Sequence, residues 1–215
     1  MNIEKNNLIK ENGCYFTELS NDKKIILKEI FDKYKNKEFK YATHTGYLNG
    51  YSNDLSFNEL EQIKLDAIAS GNIWQFWYYN PSLTFTQEEY EFFRTELTEI
   101  VKDIYPLDVI EQFDIIRHIS YTMYNKGCFI ANHRDGGNNS SPLCNILIYL
   151  NDDYTEDCGG ELVVEQNNLI QPKFGNVAFI DFYYNNPEHK VNTILSDVFE
   201  RKAFITSIPR FQNDN

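Results

Sequence analysis

His133 and Asp135 are separated by a single residue, Arg134, and a further histidine, His189, lies on a later segment. In an extended strand, residues two apart point to the same face. His133 and Asp135 therefore project together, and Arg134 points away. Two imidazoles and one carboxylate on one side of an ion make a facial donor set with the remaining positions open, which suits Fe(II). Zinc accepts the same ligand types, so the donors alone do not name the metal. An isolated His-x-Asp is a weak signal, because many chains contain one by chance and a buried histidine is more often a hydrogen-bonded core residue. The context strengthens it: Gly127 precedes the pair and Gly136-Gly137 follows directly. An unpaired carboxylate inside a barrel costs several kcal/mol, and a divalent cation at the same place reverses the sign of that cost.

The elements that must position these residues are short and β-rich. Runs at 113–124, 128–135, 143–151, 160–166, 176–182, 188–195 and 200–208 are separated by Gly, Asn, Asp and Pro. The first half reads differently. Leu8 to Thr17 is a mixed run that could form an early strand. Ser20 can cap a helix whose apolar positions Leu27, Ile30, Phe31 and Tyr34 recur at helical steps. A polar, glycine-punctuated stretch follows from Tyr41 to Ser52. Ser56 with Glu59 makes a capping box before Leu60, Ile63 and Ala67, and Gly71 is a plausible stop. Thr86 with Glu89 repeats the device before Tyr90, Phe93, Leu97, Ile100, Val101 and Ile104, until Pro106 closes the run. Helices followed by closely spaced strands predict a mainly β fold, a sandwich or jelly roll with flanking helices and an N-terminal helical half packed on it. One domain over 1–215 is expected, with 1–110 as helical buttress and substrate-side elements and 113–208 as the jelly-roll core.

Composition narrows the function classes. A net charge of −12 argues against binding driven by phosphate neutralisation, so no nucleic-acid partner is expected. An acidic surface commonly serves solubility, and it is also compatible with a cationic substrate. The N-terminus lacks the apolar core of a signal peptide. No run approaches 18 apolar residues, so no membrane-spanning helix is expected. Cys14, Cys128, Cys144 and Cys158 are scattered, which is neither a disulfide framework nor a zinc pattern. They suit a reducing cytoplasm, as Fe(II) does.

Taken with its surroundings, the His-x-Asp pair acquires a family. Tyr124 and Gly127 lead to His133 and Asp135; then come Tyr149-Leu150-Asn151, Gly159-Gly160-Glu161-Leu162, Pro172 with Gly175, and His189 followed by Arg201. In this order the motifs resemble those of the Fe(II)- and 2-oxoglutarate-dependent oxygenases, specifically the prolyl 4-hydroxylase-like branch, over roughly residues 113–208. The resemblance implies a double-stranded β-helix, with Fe(II) held by His133, Asp135 and His189. It implies 2-oxoglutarate as cosubstrate, O2 as oxidant and ascorbate as reductant. It also implies hydroxylation of an unactivated carbon with release of succinate and CO2. Halogenases of this superfamily lack the carboxylate, so Asp135 argues for hydroxylation.

The resemblance further implies a fixed cation for the distal carboxylate of 2-oxoglutarate, and a planar guanidinium can bind it with two parallel hydrogen bonds. Arg201 is the candidate, on an alternating strand that puts Arg201, Ala203 and Ile205 on one face; Lys202 is the competitor. By family position Tyr124 and Tyr149 also hydrogen-bond the cosubstrate. Arg117 or Tyr121 could face the site or pack the barrel, and His118 lies between two such positions. His44 sits in a polar loop. Asn145 and Thr193 are read as facing inward. The aromatic stretch Trp74 to Tyr79 could line a substrate pocket, but packing of helices on the sheet is the favoured reading. The expected substrate is a small molecule, a free amino acid or related metabolite. The alternatives are a residue within a peptide or protein, or a non-catalytic metal-binding jelly roll, against which the clamp formed by Arg201 and the two tyrosines speaks.

Overall fold

The computed structural model describes residues 1–36, 40–45, 48–52, 62, 74–80, 84–110, 119–135, 142–165 and 168–208, with 40–45, 48–52 and 74–80 described by their backbone. The chain opens on helix α1 (Ile3–Asn12). Asn2 caps it by accepting from the amides of Glu4 and Lys5, and Gly13 ends it in the left-handed conformation at φ 68°. Strand β1 (Cys14–Glu18) follows, then α2 (Asn21–Tyr34). The expected early strand at 8–17 is therefore half helix. Only Asn6 and Ile9 of α1 are buried, so it carries no apolar stripe for periodicity to detect. Helix α2 buries Leu27, Ile30, Phe31 and Tyr34, as its spacing predicts; Ser20 takes the cap position, but its side chain makes no cap hydrogen bond.

The polar stretch 41–52 is not a loop. It forms β2 (Lys40–Thr45) and β3 (Leu48–Ser52), antiparallel to each other, and β2 pairs on its other side with β4 (Trp74–Asn80). The first half is thus less helical than expected, since these strands extend the main sheet. The helix expected from Ser56 falls, but for Gln62, outside the described residues, as do Arg117 and His118. After β4 come α3 (Gln87–Ile104) and the short α4 (Leu107–Ile110). The remaining strands are β5 (Ile119–Tyr124), β6 (Ile130–His133), β7 (Cys144–Tyr149), β8 (Leu162–Val164), β9 (Asn168–Ile170), β10 (Asn176–Asp181), β11 (His189–Val191) and β12 (Arg201–Ile208). The expected β-rich runs each contain one of them; β9 is additional.

The strands form two antiparallel sheets. The 8-stranded sheet has the order β1-β10-β7-β12-β5-β4-β2-β3, and the 4-stranded sheet β6-β11-β8-β9. Strict alternation in the central strands separates two cores. Ile146, Ile148, Val177, Phe179 and Phe204 face the helices, where Leu27, Phe31, Phe93, Leu97 and Val101 cover them. Leu147, Tyr149, Ala178, Ile180 and Ala203 face the smaller sheet and meet Leu162, Val164 and Val191. This sandwich is the expected jelly roll. Among the described residues no helix is long and apolar enough to cross a membrane.

One buried carboxylate holds the helical layer. The Thr86–Glu89 capping box forms as expected. Glu89 also accepts from Tyr34 Oη at 2.7 Å and pairs with Lys33 at 2.7 Å, tying α3 to α2. Glu89→Ala strands these donors and should cost about 2 kcal/mol. Burial alone would push the Glu89 carboxyl up, but Lys33, Tyr34 and the Thr86 amide outweigh it and hold it below its ordinary value. Its contribution is therefore complete above the ordinary carboxylate range and is lost as pH falls through the lowered folded value. Urea unfolding at neutral and acid pH should show Glu89→Ala losing stability at neutral pH and losing less of the remainder on acidification.

Candidate active site

The triad assembles at the end of the smaller sheet. His133 is the last residue of β6 and lies directly opposite His189, the first residue of β11. Their ring centroids are 4.3 Å apart. Asp135 stands two residues beyond the end of β6, on the same side as His133 as alternation requires. Its Oδ1 lies 3.2 Å from His133 Nε2 and its Oδ2 3.6 Å from His189 Nε2. One ligand atom from each of the three lies within 4.8 Å of the others, close enough to share an ion.

Each imidazole is oriented by its own backbone. His133 Nδ1 meets the Ala131 carbonyl at 2.8 Å and His189 Nδ1 the Pro187 carbonyl at 3.1 Å. A carbonyl can only accept, so each Nδ1 carries a proton and each Nε2 is the ring nitrogen left to face Asp135 and a metal ion. Burial lowers the pKa of His133, but its hydrogen bonds to the Asp135 carboxylate and the Ala131 carbonyl raise it by more. Burial likewise pushes the Asp135 carboxyl up, while His133 and His189 outweigh it and hold it well below the usual carboxylate range. Arg134 is exposed and points away, donating to the Asn186 carbonyl at 2.5 Å, as strand geometry predicts.

Arg201 opens β12 and is fully buried, at 0% exposure. Its neighbours in the sheet put two aromatic rings on it: Cζ lies 4.8 Å from the Tyr124 centroid and 5.0 Å from that of Tyr149. Nη2 donates to Tyr149 Oη at 3.3 Å, while Nε and Nη1 have no hydrogen-bond partner among the described residues. Among the described residues no carboxylate pairs with it. A buried cation left with open donors is costly unless an anion completes it. A dicarboxylate end-on to Arg201 and Tyr149 would do so, and the triad offers donors that Fe(II) accepts. Burial pushes the phenols of Tyr124 and Tyr149 up, with Arg201 opposing, so both remain protonated. Lys202 faces the other way and pairs with Glu200 at 2.7 Å.

The glycine and asparagine motifs serve Arg201. Gly160 sits at φ +85°, and a Cβ there would lie 2.5 Å from Ile194 Cδ1 and 3.2 Å from Arg201 Cδ, so only glycine leaves the guanidinium stem its room. Glu161 beside it is buried and accepts from Tyr154 and Asn192. Asn151 has a function that the sequence did not assign. Its Nδ2 donates to the Glu200 carbonyl at 2.6 Å and its Oδ1 accepts from the Lys202 amide at 2.7 Å, gripping the backbone on both sides of Arg201. Its place in Tyr-Leu-Asn was the available signal. Asn151→Ala should cost roughly 1–3 kcal/mol for the stranded backbone groups. It should also weaken 2-oxoglutarate binding without changing metal binding, which calorimetric titration of each would show.

Other expectations resolve by position. Asn145 faces inward and donates to Asp135 Oδ2 at 2.9 Å. Thr193 does not face inward; it is exposed, in a segment after β11 where strand alternation no longer governs direction. Tyr121 packs edge-on against Phe31 and Phe204 in the helical core, so packing is its role. His44 lies not in a loop but in β2, opposite Asn49 and Gln75, and Trp74 to Tyr79 lie in β4 of the same sheet.

Residues 119–207 match the family model described as the 2OG-Fe(II) oxygenase superfamily. No curated protein matches the chain's sequence. Among solved structures, a prolyl-4-hydroxylase from Pseudomonas putida superposes with a TM-score of 0.67 at 13% identity, covering 99% of this chain and 100% of that one. A 2OG-Fe(II) oxygenase family oxidoreductase from Burkholderia pseudomallei gives 0.64 at 16% identity, covering 98% and 91%. A prolyl hydroxylase from Trichoplax adhaerens, in complex with a hypoxia inducible factor oxygen degradation domain peptide fragment, gives 0.61 at 15% identity, covering 95% and 86%. At such identities these likenesses concern the fold, and the segment that resembles the 2OG-Fe(II) oxygenase superfamily model holds the triad, Arg201 and both tyrosines.

Proposed function

We propose that this dioxygenase hydroxylates a residue within a peptide or protein, with His133, Asp135 and His189 as Fe(II) ligands and Arg201, Tyr149 and Tyr124 as the cosubstrate site. The match to the family model supports Fe(II), 2-oxoglutarate and O2; ascorbate is our proposed reductant. Bound Fe(II) would supply the oxygen activation that couples decarboxylation of 2-oxoglutarate to succinate with insertion of oxygen into a C–H bond. The residues of the chain do the rest. His133 and His189 present fixed lone pairs, Arg201 and Tyr149 donate to the distal carboxylate, and Tyr124 covers the guanidinium face. Leu147, Ala178 and Ala203, in the same intersheet core, keep water from that end.

The observation that carries the substrate reading is the contrast in depth between the two ends. Arg201 is 0% exposed, whereas the side chains of His133 and Asp135 are 27% and 36% exposed. A cosubstrate anchored at the closed end leaves the metal end open to solvent, where a polypeptide segment can reach it. The prolyl hydroxylases that share the fold support the same reading, and a prolyl residue is the first to test. All of 1–215 acts as one catalytic domain in this proposal, because strands of the first half are built into the same sheet as β5, β7, β10 and β12. The four cysteines are free and buried, which supports a reducing, cytoplasmic setting.

The test supplies Fe(II), 2-oxoglutarate and ascorbate with proline-containing peptides in parallel with free amino acids. Succinate release and a gain of one oxygen on a peptide are expected. Oxygen gained only by free amino acids would return the substrate to the small-molecule class, and absence of succinate throughout would favour a metal-binding module without turnover.

A further inference from the structure

We propose that Asn145 is a positioning residue that sets the Asp135 carboxylate for metal binding from across the sandwich. The inference rests on reading the triad as a metal site. Asp135 is the least supported member of that triad. His133 and His189 lie in paired strands, and each has a backbone carbonyl holding its ring. Asp135 lies beyond the end of β6, without a ladder partner, and its side chain is 36% exposed. Apart from the two histidines, its side-chain partner among the described residues is Asn145, at 2.9 Å.

Asn145 is well placed for such a role. It belongs to β7, the strand flanked by β10 and β12 in the larger sheet, and is itself paired with Ile180 on one side and Ser207 on the other. Its neighbours in β7 are Cys144, Ile146, Leu147, Ile148 and Tyr149, all buried. An apolar side chain would suit that strand; an amide in it is explained by the carboxylate it meets. The contact joins the unpaired end of the smaller sheet to a strand paired on both sides in the larger one. It also discriminates between the two oxygens. The amide occupies a lone pair of Oδ2, which lies 3.6 Å from His189 Nε2, while Oδ1 lies nearer a histidine, 3.2 Å from His133 Nε2. The carboxylate is thereby held against rotation and favoured to bind through one oxygen, which keeps other coordination positions free. Tyr149, four residues further along β7, meets Arg201. One strand therefore braces both ends of the site, about 13 Å apart along the backbone.

Titration of the purified apoprotein with Co(II), followed by calorimetry and visible absorption, tests this without turnover. Asn145→Leu is close to isosteric and has no donor. It should bind Co(II) about 10–100-fold more weakly and alter the Co(II) spectrum, with an unchanged melting midpoint for the apoprotein. In an Asp135→Ala background, measured at higher Co(II), the same substitution should add nothing. Should the leucine variant aggregate, Asn145→Ser, too short to reach Asp135, is read the same way. A folded variant that binds Co(II) within about twofold of wild type, or a loss of equal size in the Asp135→Ala background, overturns the role of Asn145 alone. Failure of the wild-type protein to bind Co(II) overturns the metal site itself.

Discussion

Replacing Arg201 with methionine should abolish tight 2-oxoglutarate binding while leaving the apoprotein as stable as before, or more stable. The two halves of this expectation have one cause. The guanidinium is buried at 0% exposure, and among the described residues Nε and Nη1 are unpartnered and only Tyr149 Oη accepts from it. Contacts with the faces of Tyr124 and Tyr149 recover part of the desolvation cost, roughly 0.5–2 kcal/mol each. They do not replace an anion, and exchanging a buried charge for an apolar side chain of similar volume is often neutral or stabilising. With the cosubstrate bound the balance reverses. Two charge-assisted hydrogen bonds at about 1.5–3 kcal/mol each correspond to roughly 10²–10⁴ in affinity. Wild-type protein should therefore melt higher with 2-oxoglutarate, and Arg201→Met should show no such shift. Lys202→Ala, which removes only a partner of Glu200, should leave cosubstrate affinity nearly unchanged. Melting scans with and without 2-oxoglutarate decide it: a retained shift in Arg201→Met, or its loss in Lys202→Ala, would move the clamp elsewhere.

The inward direction of Arg201 was legible because alternation in a strand is a local property. Arg201 and Ala203 fall on the intersheet face of β12 while Phe204 falls among the helices, as spacing alone requires. The same holds for His133 and Asp135, and for the helical face of α3. Features that depend on partners distant in sequence were less visible. Residues 41–52 look like a loop because glycine and asparagine punctuate them, and only pairing with β4 makes β2 a strand. Strand β9 is three residues long, too short for a period. Helix α1 is polar nearly all round, and its caps at Asn2 and Gly13 emerge only in the structure. The Asn151 grip joins residues 49 and 51 positions apart, and spacing carries no sign of that. Asn145 lies between these cases, since alternation turned it inward but only the fold supplied Asp135.

Alanine at His133, Asp135 or His189 should in each case remove stoichiometric metal binding, yet the three variants should differ in stability. A facial site with three protein donors has none to spare, since the open positions belong to the reactants. The difference comes from how each donor is housed. His189 is 5% exposed and sits in β11 between β6 and β8, with its Nδ1 bonded to the Pro187 carbonyl and its ring near Phe182. His189→Ala leaves a void and an unpaired carbonyl in the sheet, and should cost roughly 1–3 kcal/mol in the apoprotein. His133 and Asp135 are partly exposed at the open end, where water can replace what is removed. Their alanine variants should remain within about 1 kcal/mol of wild type. Added Fe(II) or Co(II) should raise the melting midpoint of the wild type by binding the folded state, and should not raise that of any of the three. Metal analysis of each purified variant, read beside its melting curve, separates loss of a ligand from loss of fold. A variant that keeps full metal while folded identifies a side chain wrongly placed in the triad.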